Sequence, residues 1–111
     1  MTNKLVEVAY NALDDKKGID IKVIDISKVS TIADYFIIAS GSNKSQVQAL
    51  SDNVSDAMAK AGVESKQTEG YHSANWILMD YHDIIIHVFD VDSRNFYNIE
   101  RIWSDGDIIE M

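Results

Sequence analysis

The sequence contains no cysteine and no proline among its 111 residues. Without cysteine, the chain has no disulfide, no thiol nucleophile and no cysteine-ligated zinc or iron–sulfur site. Long apolar runs are also missing, and none approaches the roughly 18 residues that a membrane-spanning helix needs. The first residues, MTNKLVEVAYNALDDKK, lack the pattern of a secretory signal peptide. These absences, together with 46% hydrophobic residues, predict a single cytoplasmic domain over residues 1–111.

Basic residues are scarce, since 10 Lys and Arg stand against 18 Asp and Glu and give a net charge of −8. No basic block is present. Affinity for nucleic acid depends on cationic side chains that neutralise phosphates, so the composition disfavours direct binding to RNA or DNA. An acidic domain is better suited to a basic protein partner. The alternative is that the negative charge only maintains solubility.

The spacing of apolar residues predicts an element order of α-β-β-α-β-β-β-α. Helices are expected over 3–14, 43–61 and 93–103, and strands over 19–26, 34–40, 63–68 and the two arms of a hairpin within 75–90. Ser42 or Asn43 can cap the second helix, and Gly62 can end it. The run DYFIIAS is typical of a strand that is buried on both faces. This mixture predicts an α/β domain with one mixed sheet and helices mainly on one face.

The C-terminal part of the sequence gives a less regular pattern. The predicted helix over 93–103 places four apolar residues on one stripe: Phe96, Ile99, Ile102 and Trp103. Trp103 is accordingly expected in the core, and Asp92 or Ser93 is the expected N-terminal cap. The tail SDGDIIEM fits either a frayed end or an added edge strand.

The segment NWILMDYHDIIIHVFD, residues 75–90, predicts a hairpin with two unlike faces. A two-residue loop at Tyr81-His82 places Trp76 opposite His87. One face is then entirely aliphatic or thioether and predicts core: Ile77, Met79, Ile84, Ile86 and Val88. The other face mixes apolar and ionisable groups: Trp76, Leu78, Asp80, Asp83, Ile85, His87 and Phe89.

Two interpretations of the mixed face remain open. If it is exposed, its large apolar side chains form a patch of the kind that marks an interaction site. If the chain's own last helix or tail covers it, the aspartates must lie at a wet rim, because lone buried charges are costly. The first interpretation predicts that this face docks a partner. Because His87 belongs to it, affinity is also expected to vary between about pH 6 and 8.

Three segments carry a resemblance to a known family: ADYFIIASGSNKSQVQAL, EGYHSANWILMDYHDIIIHVFD and RNFYNIERIW. The most specific part is W-I-L-x-D-x-x-D-x-x-x-H-V-F followed by R-x-F-Y-x-x-E-x-x-W. From the strand near residue 20 to Trp103, the chain resembles the ribosomal silencing factor family, also called the Iojap or DUF143 family. The resemblance implies a nucleotidyltransferase-like topology without catalytic function.

The resemblance also implies a partner. Family members bind the large ribosomal subunit through its fourteenth ribosomal protein, a basic protein on the subunit-joining face, and thereby block joining and repress translation. Organellar relatives act in large-subunit assembly, so an assembly role is an alternative. Earlier motif positions match at Asp34, Tyr35, Gly41, Glu69 and Gly70. Family turns usually read D-x-G-D, whereas this sequence has His82 in place of the glycine.

The partner-binding residues expected from the hairpin and the resemblance together are Trp76, Leu78, Asp80, Ile85, His87, Arg94, Tyr97 and Glu100. Arg94 and Glu100 fit either charges that face the partner or an internal ion pair. A homodimer that uses the same patch is a further alternative. No catalytic residue, metal site, cofactor or membrane contact is expected.

One enzymatic alternative follows from Gly41-Ser42 together with Asp90 and Asp92. Nucleotidyltransferases combine a Gly-Ser turn with two carboxylates one residue apart, which hold Mg²⁺ against nucleotide phosphates. Carboxylates two apart on a strand point the same way and could share a cation. In the sequence, however, they lie far from Gly41-Ser42, whereas the enzymes place them on the next strand.

Overall fold

The computed structural model describes residues 3–110. Within this range the helices are α1 (Lys4–Asp15), α2 (Lys44–Lys60), α3 (Val91–Tyr97) and α4 (Ile99–Ile102). The strands are β1 (Ile19–Asp25), β2 (Tyr35–Gly41), β3 (Gln67–Glu69), β4 (Trp76–Asp80), β5 (Ile84–Asp90) and β6 (Asp107–Ile109). They form one sheet in the order β3-β4-β5-β2-β1-β6. The predicted α/β class with a mixed sheet is confirmed.

The centre of the sheet is the parallel pair β2–β5, and every other neighbouring pair is antiparallel. A central strand that is covered on both sides reads as a continuous apolar run, because neither face meets water. Strand β2 fits this rule, since all its residues after Tyr35 are buried. The prediction of a doubly buried strand at this point is confirmed.

The two long helices α1 and α2 lie on one side of the sheet, here called the first face. They pack their apolar stripes against the aliphatic hairpin residues, and Ile77, Ile86 and Val88 are fully buried there. The Asn43 side chain caps α2 by accepting a 2.8 Å hydrogen bond from the Gln46 amide. Gly62, at φ 89°, follows the end of α2 as predicted.

The hairpin keeps its predicted faces but has a different register. Trp76 pairs with Phe89 and Leu78 pairs with His87, so the predicted pairing of Trp76 with His87 is wrong. The turn lies one residue later than expected, because His82 takes φ 75° and the Tyr81 amide bonds the Ile84 carbonyl at 2.9 Å. A register shift of two residues preserves which side of the sheet each residue faces.

The predicted last helix is divided in two. Asn98 adopts a left-handed conformation (φ 46°, ψ 50°) and separates α3 from α4. The expected single stripe is therefore wrong, because the break turns Phe96 (82% exposed) and Ile102 (69% exposed) outward and leaves Ile99 buried. Trp103 is half-buried against Phe36, with 5.2 Å between the ring centroids.

The end of the described chain forms β6, which pairs antiparallel with β1. Of the two fates left open for the tail, the edge strand is the one observed. The turn into β6 passes Gly106, where a Cβ would lie 2.9 Å from the Asp25 carbonyl oxygen, so a larger residue would displace the strand. Across residues 3–110, no helix has the length and apolar character needed to cross a membrane.

Candidate functional site

The mixed hairpin face lies on the side of the sheet opposite α1 and α2, here called the second face. Helices α3 and α4 follow β5 directly and cover part of the second face. Helix α3 begins immediately after β5, because Asp90 caps it by accepting a 2.7 Å bond from the Ser93 amide. The cap is therefore Asp90 rather than the predicted Asp92 or Ser93. The second face has its own core cluster, whose buried members are Ile24, Ile26, Ala33, Phe36, Ile38, Ile85, Phe89 and Ile99.

Of the two interpretations of the mixed face, coverage by the chain's own last helices is the one observed for Ile85 and His87. Ile85 is 8% exposed and His87 is 4% exposed. Ile85 belongs to the buried cluster beneath the chain's own α3–α4 segment. His87 contacts this cluster, since its ring lies 4.7 Å from that of Phe36. Ile85 and His87 therefore lie beneath the surface of the second face and have almost no exposed side-chain area that a partner could contact.

His87 is held in its neutral form. Its Nδ1 accepts a 3.0 Å hydrogen bond from the Trp76 indole Nε1, which requires an unprotonated nitrogen. Burial lowers the pKa of His87 to about 4. The hypothesis that His87 makes binding pH-dependent between about pH 6 and 8 is therefore contradicted, because the imidazole does not change charge in that range.

Arg94 is a buried cation that connects the α3–α4 segment to the sheet. Its guanidinium donates two 3.0 Å bonds to the Glu100 carboxylate and further bonds to Ser40 Oγ (3.0 Å) and the Ile19 carbonyl (3.1 Å). Hydrogen bonding by Arg94 lowers the pKa of Glu100. Of the two predicted roles for this pair, the internal ion pair is the one observed.

Three neighbouring aromatic side chains lie at the surface where α3 meets β4. The Tyr97 ring lies 4.8 Å from Trp76 and 5.1 Å from Phe96, measured between centroids. Tyr97 is 47% exposed, Phe96 is 82% exposed and Trp76 is half-buried. We call Trp76, Tyr97 and Phe96 the aromatic ridge. It is anchored from below, because Trp76 stacks on buried Phe89 at 5.0 Å.

Phe96 was not predicted as a site residue. Helical periodicity placed it on the buried stripe, and only the break at Asn98 turns it outward. The signal that could have revealed it is Asn98 itself, since asparagine tolerates the left-handed conformation better than most residues.

Beside the ridge, the second face of β4 carries Leu78 and Asp80, both half-buried. Glu69 of the edge strand β3 pairs with Leu78 and therefore points to the same side of the sheet. Glu69 and the other two residues of β3 are exposed. The combination is an apolar centre flanked by carboxylates, which suits a partner with apolar and basic side chains.

The structure brings together some of the residues on which the enzymatic alternative depends. Gly41 pairs with Asp90 across β2 and β5, but the Asp90 carboxylate is used as a helix cap and Asp92 is exposed on the first turn of α3. Among residues 3–110, no group of three or more Asp, Glu or His side chains is arranged to hold a metal ion.

Comparison with known proteins gives relatives that match along nearly the whole chain. A chain named ribosomal silencing factor RsfS from Halalkalibacterium halodurans is 38% identical over 100% of this chain and 96% of its own. Its namesake in Bacillus subtilis is 36% identical over 96% of this chain and 91% of its own. A crystal structure of a Chromobacterium violaceum protein superposes with a TM-score of 0.89 at 36% identity, covering 91% of this chain and 84% of that one.

The family profile agrees with these pairwise matches. The profile described as "Ribosomal silencing factor during starvation" matches residues 1–111, which is the whole of the sequence. The chain belongs to the ribosomal silencing factor (RsfS) family.

Proposed function

We propose that this protein binds the large ribosomal subunit through its fourteenth ribosomal protein and prevents the small subunit from joining, which represses translation in the cytoplasm. The names of the relatives support a silencing role, and the aromatic ridge supplies a surface. The mechanism needs no bond chemistry, because a protein that occupies part of the joining face excludes the other subunit by its volume.

The single observation that carries the proposal is the exposure of the aromatic ridge beside an acidic rim. Aromatic residues are enriched at interface centres, and burying one large side chain contributes roughly 1.5–3 kcal/mol. Glu69 on β3 and Asp80 at the far end of β4 lie on the same side of the sheet as Trp76, where they can face cationic side chains. A net charge of −8 also favours rapid encounter with a basic ribosomal protein.

Of the residues predicted to bind the partner, the proposal keeps Trp76, Leu78, Asp80 and Tyr97 as contacts and adds Phe96. The other four act from behind the surface: Ile85, His87, Arg94 and Glu100. Ile85, His87 and Arg94 are buried, and Glu100 is half-buried and bonded to Arg94, so changing any of them alters the shape and stability of the docking surface first.

The test is co-sedimentation of the protein with purified large subunits, with Tyr97→Ala and Phe96→Ala as the variants. Truncation of a central anchor costs more than about 2 kcal/mol, so affinity should fall about thirtyfold for at least one variant. Ile32→Ala is the matched control, because Ile32 is an exposed apolar residue (63%) on the β1–β2 loop, at the opposite end of β2 and β5 from Trp76.

A joining assay completes the test. Light scattering on mixing the two subunits should show that wild-type protein slows their association and that the ridge variants do so less. If both ridge variants sediment and inhibit like wild type while folded by circular dichroism, the ridge is not the docking surface. Binding without inhibition of joining would instead favour a role in large-subunit assembly. A homodimer that buries the ridge would be seen as concentration-dependent elution in size-exclusion chromatography and would compete with subunit binding.

A further inference from the structure

The opposite edge of the sheet has a second feature that the proposed function does not use. Strand β6 ends the sheet order, and within residues 3–110 no strand pairs with its outer side. The backbone groups along such an edge can accept another strand. Four strand spacings separate β6 from β4, or about 19 Å at the usual distance between strands. A partner at β6 therefore need not contact the aromatic ridge.

Two clefts flank this edge, one on each face of the sheet. On the second face, a cleft of about 330 Å³ has apolar walls from Ile24, Trp103 and Ile108. On the first face, a cleft of about 310 Å³ is lined by Tyr10, Ile21 and Ile109 together with the carboxylates of Asp20 and Glu110. Ile108 lines both clefts, which places them on either side of β6 itself.

This arrangement matches what an added strand requires. Successive side chains of a strand point to opposite faces of a sheet, so a strand laid along β6 would direct alternate residues toward the two clefts. Ile108 is 63% exposed on the second face, and Ile102 of α4 is 69% exposed. Contact with an added apolar side chain would remove this area from water.

The charge around β6 indicates the kind of segment that fits. Asp105, Asp107 and Glu110 are exposed and make no ion pair with any residue of the described range 3–110. The two cations that line the second-face cleft are Lys22, which already pairs with Glu100 at 3.4 Å, and Arg101. The edge is therefore predominantly acidic and complements a basic strand.

We propose that the outer edge of β6 is a β-augmentation site for an extended segment of another protein that alternates apolar with basic residues. Backbone hydrogen bonds to β6 supply part of the affinity. The apolar residues of such a segment all point to the second-face cleft, and its basic residues point to the first-face cleft, which Asp20 and Glu110 also line. This would give the protein a second interaction surface. Short, charged edges also protect sheets from aggregation, but protection does not require an apolar cleft beside the edge.

The probe for the test is the fluorescein-labelled peptide Lys-Val-Lys-Val-Lys-Val-Lys, with Glu-Val-Glu-Val-Glu-Val-Glu as the charge control. Amide chemical shifts of the ¹⁵N-labelled protein should change at residues 105–110 and in β1 on addition of the basic peptide. Fluorescence anisotropy then gives the dissociation constant. No shift, or shifts confined to other segments, overturns the proposal.

The decisive variants are Ile108→Lys and Ile32→Lys, because both isoleucines are 63% exposed and only Ile108 lies at the edge. Loss of the Ile108 contact should weaken peptide binding by about tenfold or more, whereas Ile32→Lys and Tyr97→Ala should bind like wild type. Equal binding by Ile108→Lys and Ile32→Lys contradicts the proposal.

A second variant guards against unfolding of β6. The double change Asp105→Asn and Asp107→Asn keeps side-chain size and should weaken binding of the basic peptide and reduce its dependence on salt. If the affinity for the basic peptide and its salt dependence are both unchanged, charge does not select the segment and the proposal fails. Sedimentation velocity tests the other occupant, a second copy of the chain. A dimer that Ile108→Lys abolishes would assign the edge to self-association and overturn the peptide as its occupant.

Discussion

The Trp76 indole nitrogen donates a 3.0 Å hydrogen bond to Nδ1 of His87, so a partly exposed ring is tied to a buried one. Because Nδ1 accepts this bond, the single proton of the neutral imidazole lies on Nε2. The bond fixes the orientation of the Trp76 ring at the base of the aromatic ridge. It also ties the ridge to the protonation state of a group that is 4% exposed.

The first prediction concerns stability at acid pH. The pKa of His87 is lowered to about 4 in the folded protein, whereas the unfolded chain has the usual value near 6.5. Between these values the unfolded state binds the additional proton, so the stability from His87 is fully present above about pH 6.5 and is lost as the pH falls toward about 4. The loss should be about 3 kcal/mol in the free energy of unfolding, measured by urea denaturation.

A variant separates this loss from the titration of carboxylates. His87→Phe removes the titrating group, so its stability should decline less between pH 6.5 and 4 than that of wild type, even though its stability at neutral pH is altered. His72→Gln is the control, because His72 is exposed and should leave the decline unchanged. Equal declines for wild type and His87→Phe would show that His87 does not contribute.

The second prediction concerns the buried cation that holds α3 and α4. Arg94→Met removes five hydrogen bonds and leaves Glu100 with Lys22 as its remaining cation at 3.4 Å. Breaking a buried pair typically costs about 3–5 kcal/mol, so the free energy of unfolding should fall by about 3 kcal/mol.

The contrast for this prediction is Lys22→Met, which removes a partly exposed cation from the same carboxylate. Lys22 is 38% exposed, and pairs of this kind contribute at most about 1 kcal/mol. Hydrogen–deuterium exchange should also show faster exchange across 91–103 in Arg94→Met than in Lys22→Met. Similar values for the two variants would contradict the role assigned to Arg94.

The third prediction concerns the hairpin turn, where His82 has φ 75°. A left-handed conformation costs a residue with a Cβ about 1–2 kcal/mol, while glycine adds backbone entropy to the unfolded state. His82→Gly should therefore raise the free energy of unfolding by about 0.5–1 kcal/mol. Asp83→Gly, at a neighbouring position without positive φ, should lower it, and thermal denaturation of both variants distinguishes the cases.

The fourth prediction compares two glycines with similar φ, Gly70 at 81° and Gly62 at 89°. A Cβ at Gly70 would lie 2.2 Å from the Trp76 carbonyl oxygen, whereas a Cβ at Gly62 meets nothing within 4 Å. Gly62→Ala should cost about 1–2 kcal/mol from the backbone alone. Gly70→Ala adds steric overlap of about 1–3 kcal/mol and should displace β4, which changes Trp76 fluorescence as well as stability. Equal costs would contradict the close approach at Gly70.

The sequence was sufficient to separate the two faces of the hairpin but not to pair its residues. Alternation with period two survives a shift of two positions, so Ile77 and Leu78 fell on the correct sides even though the turn was misplaced. The turn depends on the φ of His82. The glycine that family turns carry at this position indicates positive φ, but histidine itself gives little indication of it.

The covering of the second face could not be predicted for a related reason. Whether Ile85 and His87 are exposed depends on the direction of the chain after β5, and that direction changes at Asn98. One residue in the left-handed conformation resets the helical phase, turns Phe96 to solvent and brings Ile99 onto the sheet. Local propensity does not determine such a break, because packing of α4 against the sheet stabilises it.

The parallel contact of β2 with β5 has a consequence for how the molecule reaches its native state. The pairs β1–β2 and β4–β5 each join strands that are adjacent in the sequence, whereas β2 pairs with β5 across the intervening α2, β3 and β4. Contacts between remote segments slow folding because the intervening chain must be ordered first. Since the sequence has no proline, no prolyl isomerisation delays refolding, and docking of the two hairpins becomes the expected rate-limiting event.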